Sequence, residues 1–439
     1  MPAMKNDSQN EIKWYETLTF KMALLGIMAI MFLLPLELIK SMIRERAENS
    51  GAVQEQISNE WGKEQHITGP VLNIPVDRIT YLSDDNISAT STIWHLMPEE
   101  IIVSGIIDPQ VRYRGIYESV IYESALKLKG EFNIIGHEAG QGIEIRWSDA
   151  YLTLGISDNR GIINNVSLNT GSSIIDAEPG TYDNDLFNSG LTFPVPVDPE
   201  SGTVIFEIEL GLRGSSGLFF TPVGKSTSVS LESSWTAPSF SGNYLPADRL
   251  VDENGFKASW MITHLNRNFP QSWYGNIHKP GKESFGVRLI VEVDHYRKSE
   301  RSAKYGLLFI AFTYLVLLFL EISSNRKIHL FHYFLVSLSL VLFFSLLNSL
   351  SEHLGFSPAY LISSSATIGL LSIFSGSLLK RRKYILIIGG MLTLLYLFIY
   401  ILMALNEFAY LAGNIGLFVA LAGIMWLSSR TNLFRKTGI

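Results

Sequence analysis

The sequence has no cysteine, and only 17% of its 439 residues are charged. Without cysteine there is no disulfide scaffold, no thiolate-held zinc or iron–sulfur centre and no thiol nucleophile. A mean hydropathy of +0.20 with so little charge excludes an intrinsically disordered chain, which needs low hydrophobicity and high charge. The net charge of −6 leaves no basic footprint for nucleic acid. Soluble domains carry about a quarter charged residues. A deficit of this size beside 47% hydrophobic residues points to a membrane protein in contact with a lipid bilayer.

The apolar residues are clustered. Phe20–Ile39 is apolar apart from Lys21 and Glu37, and after a long interval five runs follow: Tyr305–Ile322, Leu330–Leu350, Phe356–Leu379, Tyr384–Leu405 and Phe408–Leu427. Each is near the roughly 20 residues that cross a hydrocarbon core of about 30 Å. The pattern predicts a mixed fold: a polytopic α-helical bundle of six spans, with a large domain inserted between spans one and two. The domain boundaries are a tail at 1–19, span one at 20–40, the inserted domain at 41–304, a five-span bundle at 305–428 and a tail at 429–439. Met22–Leu36 has the length of a signal-peptide core, but no small-x-small cleavage site follows, so an uncleaved anchor is expected. Pro35 is expected to kink this helix or mark its exit.

Orientation follows from the short loops. Arg326, Lys327, Lys380, Arg381, Arg382 and Lys383 lie in alternate connections and Arg430, Arg435 and Lys436 in the C-terminal tail, whereas Ser351–Gly355 and Asn406–Glu407 contain no Lys or Arg. By the positive-inside rule both termini are cytoplasmic and the inserted domain is extracytoplasmic, which in a double-membrane cell is periplasmic. The charge divides accordingly. Residues 41–304 hold 22 Lys and Arg against 34 Asp and Glu, and the remainder holds 13 against 7.

The inserted domain reads as helix to about residue 61 and then as a mainly-β, sandwich-like domain. Thr203–Leu212 alternates apolar Val204, Phe206, Ile208, Leu210 and Leu212, the period of a strand with one buried face. Shorter runs resemble it at Val71–Val76, Ser88–Met97, Glu100–Ile107, Gly115–Lys129, Ile143–Trp147, Ala150–Ile156, Ser226–Leu231, Phe256–Thr263 and Phe285–Val293. Turn residues at Asp108-Pro109, Asp158–Gly161 and Asp252–Gly255 separate them. The domain is one sandwich or two halves joined near Phe187–Gly202.

No motif for chemistry stands out. The nine histidines are scattered, and the close pair His329 and His332 has only Glu321 near it in sequence. Gly224-Lys225-Ser226 lacks the glycine five residues earlier that a phosphate-binding loop requires. The acid pairs Asp84/Asp85 and Glu99/Glu100 read as solvated strand ends. No catalytic, cofactor or metal residues are expected. The polar residues at the outer ends of the spans, Asn348, Ser351, Glu352, His353 and Glu407, form a candidate functional cluster, because ionisable groups near membrane depth are costly. Ser365-x-x-x-Gly369, Ser372-x-x-x-Gly376 and Gly416-x-x-x-Ala420 predict close helix approach.

Several ordered segments resemble the CreD-type inner-membrane proteins: Ile67–Val76, Arg112–Tyr117, Thr221–Gly224 with Ser234-Trp235 and Pro238–Gly242, Leu265–Gln271, Ser299–Tyr305 and Leu350–Phe356. The resemblance runs from about residue 20 to 430. It implies a polytopic inner-membrane protein of Gram-negative bacteria linked to cell-envelope integrity and envelope stress, with no known reaction or ligand. Within these segments Arg112 and Arg114 share a strand face suited to acids or to an anionic lipid or glycan. Trp235 and Phe240 read as core anchors and, with the two arginines, as candidate periplasmic contact residues. The expected function is periplasmic binding of a protein or envelope component by a non-enzyme. The alternatives are a transporter or ion-coupled channel using the polar cluster, and a periplasmic enzyme acting on glycan or lipid.

Overall fold

The computed structural model describes residues 18–83, 86–134, 143–290, 294–324, 326–380, 382–405 and 411–416, with 418, 419, 422 and 425. The chain divides into two compact units: Met1–Asn49 with Val293–Ile439, and Ser50–Glu292.

The first unit is helical. Helices α1 (Leu18–Met31) and α2 (Leu33–Trp61) follow one another with a break at Phe32. Pro35 has no N–H to offer the Met31 carbonyl, so the ladder misses a rung there. Phe32 N–H still reaches the Met28 carbonyl (3.1 Å), and Leu36 N–H reaches that of Phe32 (3.3 Å). Pro35 therefore interrupts the helix without ending it, and α2 runs on to Trp61. Then come α3 (Asp294–Lys304), α4 (Gly306–Ser324), α5 (Leu330–Leu354), α6 (Phe356–Leu379) and α7 (Arg382–Ala404).

Among the described residues five helical stretches are long and apolar enough to cross a membrane: Thr19–Trp61 and the helices α4 to α7. The expected span at Phe408–Leu427 lies largely outside the described residues, though 411–416 within it are helical. Gly355 joins α5 to α6 at φ +76°, a conformation that a side chain disfavours. Interlocking rings fill the space between α4, α5, α6 and α7: Phe309 on Tyr396 (4.7 Å), and Phe343 on Phe344 (4.9 Å), Tyr396 (4.9 Å) and Tyr360 (5.6 Å).

The second unit is a β-sandwich. Its strands are β1 (Gln65–Ser83), β2 (Asn86–Leu96), β3 (Glu100–Arg114), β4 (Tyr117–Asn133), β5 (Ile143–Ile145), β6 (Tyr151–Ile156), β7 (Ser167–Asn169), β8 (Ile174–Asp176) and β9 (Glu178–Pro179). The series continues with β10 (Gly190–Pro194), β11 (Thr203–Ser215), β12 (Gly217–Thr221), β13 (Ser226–Ser233), β14 (Pro238–Gly242), β15 (Asp248–Asp252), β16 (Gly255–Thr263), β17 (Ser272–Tyr274) and β18 (Phe285–Leu289). One sheet runs β14-β18-β12-β1-β6-β10-β9, with β2 and β5 also on β1 and β17 on β2. The other runs β15-β16-β13-β3-β4-β11-β7-β8.

A single apolar cluster joins the inner faces of both sheets, from Val71, Leu72 and Leu152 on one to Val103, Leu128 and Phe206 on the other. The segment 187–202 supplies β10, which pairs with β6 on one side and with the terminal strand β9 on the other.

One turn expectation is corrected. Asp108-Pro109 lies inside β3, which pairs with β4 as far as Arg114↔Tyr117. The partner on the other side, β13, ends at Ser233↔Ile107. Beyond Ile107 that edge of β3 is open, where the missing N–H of a proline costs little. The chain reverses instead at Gly115, at φ +64°.

Candidate functional site

The polar cluster expected at one end of the spans is only partly assembled. In α5, Ser351 is buried and its hydroxyl donates to the Asn348 carbonyl (2.9 Å), with Ser299 of α3 opposite (3.5 Å). The Glu352 side chain is 9% exposed and faces Arg46 at 3.8 Å. His353 turns outward and is exposed, and Glu407 lies outside the described residues. The Asn348 Oδ1 and Glu352 Oε1 atoms are buried without a hydrogen-bond partner among the described residues.

A second polar knot in the same unit escaped the sequence. Lys21 Nζ donates to both Glu321 oxygens (2.5 and 2.7 Å) and to the Ile328 carbonyl (2.7 Å), and Tyr333 donates to Glu321 Oε2 (2.9 Å). A charge in an apolar bundle is tolerated when paired in this way. His329 and His332 do not join it. His329 Nδ1 caps α5 by accepting from Phe331 N–H (3.2 Å), and the His332 ring lies 5.9 Å from that of Phe374.

Arg112 and Arg114 hold the end of α2 that falls within the same compact unit, residues 50–61. Arg114 pairs with Glu60 (2.7 Å). The Trp61 ring has Arg213 at 4.4 Å and Arg112 at 5.7 Å, and its Nε1–H donates to the Tyr122 carbonyl (3.3 Å). Trp235 and Phe240 are half-buried against the core. Trp235 Nε1–H donates to the Ala237 carbonyl (3.1 Å), and the Phe240 ring meets Phe256 (5.6 Å) and Trp260 (5.8 Å) edge-on.

Two features remain. The first is a trough of about 540 Å³ on the outer face of the second sheet. Strand register explains it. Across β16, β13, β3, β4 and β11 one row reads Ser259, Ser230, Ser104, Lys127 and Glu209, and the next reads Lys257, Glu232, Ile106, Ala125 and Gly211. Small residues in mid-row form the floor, and Lys127, Glu209 and Glu232 form the walls, held by the ion pairs Lys127–Glu209 (2.9 Å) and Lys257–Glu232 (2.9 Å). Ile106 stands in the trough 63% exposed.

The second is a knot of titratable groups on the first sheet, in the row Trp273, His95, Asn73 and Tyr151 across β17, β2, β1 and β6. His95 of β2 is fully buried beside Asn73 of β1, and the loop between β9 and β10 brings Asp183 and Asp185 to it. The ligand atoms of the three residues lie within 4.8 Å of one another. Burial pushes the His95 pKa down, against the pull of the two aspartates. Burial and the hydrogen bond to Asp183 raise that of Tyr151. The local signal was Asp183-Asn184-Asp185, two acids with alternate spacing in a turn-rich loop; nothing in the sequence tied it to a histidine some 90 residues earlier.

Known proteins resemble the chain over nearly its whole length. The family profile described as "Inner membrane protein CreD" matches residues 17–434. Inner membrane protein CreD of Escherichia coli (strain K12) is 29% identical over 418 residues, which cover 94% of this chain and 92% of that protein.

Proposed function

The chain belongs to the CreD family of inner membrane proteins, and from that premise we propose that it supports cell-envelope integrity by binding a protein or envelope component with its β unit, held in the periplasm. The nine Lys and Arg residues in two alternate connections and the C-terminal tail support a cytoplasmic placement of both termini. With the N-terminus inside, a unit inserted after the first span emerges outside. The observation that carries the binding role is the trough: a sheet face with a small-residue floor and exposed Ile106, rimmed by paired charges. Its polar groups can orient a ligand while its apolar floor is desolvated. The same chemistry suits an extended peptide or a lipid-linked glycan.

The test is a trough-filling variant. Ser104→Trp starts from an exposed position and leaves the core untouched. It is expected to reduce complementation of an envelope-sensitive null strain at least tenfold, at normal protein abundance. A photo-crosslinking residue at position 106 is expected to yield an adduct that Ser104→Trp abolishes. Full complementation by Ser104→Trp would remove the trough from the function.

A further inference from the structure

The tautomer of His95 is fixed by its neighbours. Asn73 Nδ2 donates to Thr153 Oγ1 (2.8 Å) and leans on the Val71 carbonyl (3.3 Å), so the amide oxygen is the atom that faces the imidazole. His95 Nδ1 lies 2.7 Å from that oxygen and must therefore donate to it. The remaining ring nitrogen, Nε2, then carries a lone pair. It is buried without a hydrogen-bond partner among the described residues and faces Asp185 Oδ2 at 3.6 Å. That distance is too long for an imidazolium hydrogen bond.

Asp183 completes the set. Its Oδ2 accepts from the Tyr151 hydroxyl (2.6 Å) and its Oδ1 from Asp185 N–H (2.9 Å), which orients the carboxylate toward the histidine. Three electron-pair donors thus lie within 4.8 Å of one another with no hydrogen bond between the imidazole nitrogen and either carboxylate, an arrangement that calls for a cation. Ligands around a four-coordinate ion at about 2.1 Å stand roughly 3.4 Å apart, close to the His95–Asp185 separation. The outer groups match those of metal sites, where a second hydrogen bond holds the ligating histidine and its carboxylate neighbours.

We propose that His95, Asp183 and Asp185 bind a divalent transition-metal cation, with Zn²⁺ the best fit. The imidazole nitrogen disfavours Ca²⁺ and Mg²⁺, which take oxygen ligands, and the N,O,O set suits a borderline ion. The ion joins the β9–β10 loop to β2. Asp185, 30% exposed, gives it a path of entry from solvent. This site stands apart from the trough, and its test does not depend on the trough's role.

The experiment uses the full chain in detergent, purified without a histidine tag, stripped with chelator and incubated with Zn²⁺ alone. After desalting, the wild type is expected to retain about one Zn²⁺ per chain, and added Zn²⁺ is expected to raise its unfolding temperature. Asp185→Asn alters a half-buried loop residue and preserves its shape. It is expected to unfold like the metal-free wild type and to bind Zn²⁺ at least tenfold more weakly. His95→Gln is expected to lose the ion as well. Millimolar Ca²⁺ or Mg²⁺ is expected to leave the bound Zn²⁺ in place. Equal retention by wild type and Asp185→Asn would mean that the ion sits elsewhere and would overturn the proposal. So would no retention by the wild type, or displacement by Ca²⁺.

Discussion

At the scale of single residues, the β unit depends on polar groups that join a near partner to a distant one. Asp158 shows this best. Its side chain is 9% exposed and accepts from Lys63 N–H (3.1 Å), Arg160 Nε–H (2.9 Å) and Arg160 Nη2–H (2.8 Å), holding the segment after α2 against the loop after β6. The bonds to Arg160, and after them those to the backbone amides, pull its pKa below the ordinary carboxylate value. A carboxyl with a depressed folded pKa contributes stability that is complete above its unfolded pKa of about 3.9 and fades as pH falls through the folded value. Asp158→Asn is therefore expected to destabilise the chain at pH 7 by about 1–3 kcal/mol, the cost of weakening charge-assisted bonds at a buried acceptor. It should also flatten the loss of stability below pH 4. Tryptophan-fluorescence unfolding of both proteins from pH 7 to pH 3 checks this. An unchanged acid limb in the variant would show that other carboxylates govern it.

At the scale of elements, legibility tracked the water. Strands with one wet face announced themselves: Thr203–Leu212 was readable from its alternation and extends to Ser215 as β11. β1 was visible only as the fragment Val71–Val76, because Ile67 to Ile74 are buried throughout and the alternation vanishes. The knots at His95 and Lys21 were hidden for another reason. The acidic partners come from 88 or more residues away, Asp183 and Asp185 for His95 and Glu321 for Lys21, and spacing along the chain says nothing about such pairs. Small-residue stripes were legible as a class but not by face. On α6, a Cβ at Gly376 would fall 2.1 Å from Ile385 Cγ1 of α7, whereas one at Gly369 would meet nothing within 4 Å. Gly376→Leu is expected to force the two helices apart at a cost of about 1–3 kcal/mol, the usual range for overpacking. Gly369→Leu, which adds the same bulk, should be tolerated. Thermal unfolding of the two variants in the same detergent separates the cases. Equal destabilisation would mean that helix propensity or lipid contact, not the α6–α7 contact, sets the effect.

At the scale of the whole molecule, the charge deficit resolves into two materials. The acidic surplus belongs to residues 41–304 and the basic surplus to the remainder, where it gathers in alternate connections between apolar runs. A basic loop resists translocation, so the clusters at 326–327 and 380–383 favour one face of the membrane, and the topology proposed above puts the inserted β unit on the other. The absence of cysteine makes this arrangement directly measurable, since any introduced thiol is the sole label site in the chain. Asn254, exposed in the β15–β16 turn, and Lys383, exposed at the start of α7, suit the purpose. Asn254→Cys is expected to react with a membrane-impermeant maleimide in intact spheroplasts. Lys383→Cys is expected to react only after the membrane is opened. The opposite pattern would invert the topology and place the trough and the His95 site in the cytoplasm, where neither could meet an envelope component.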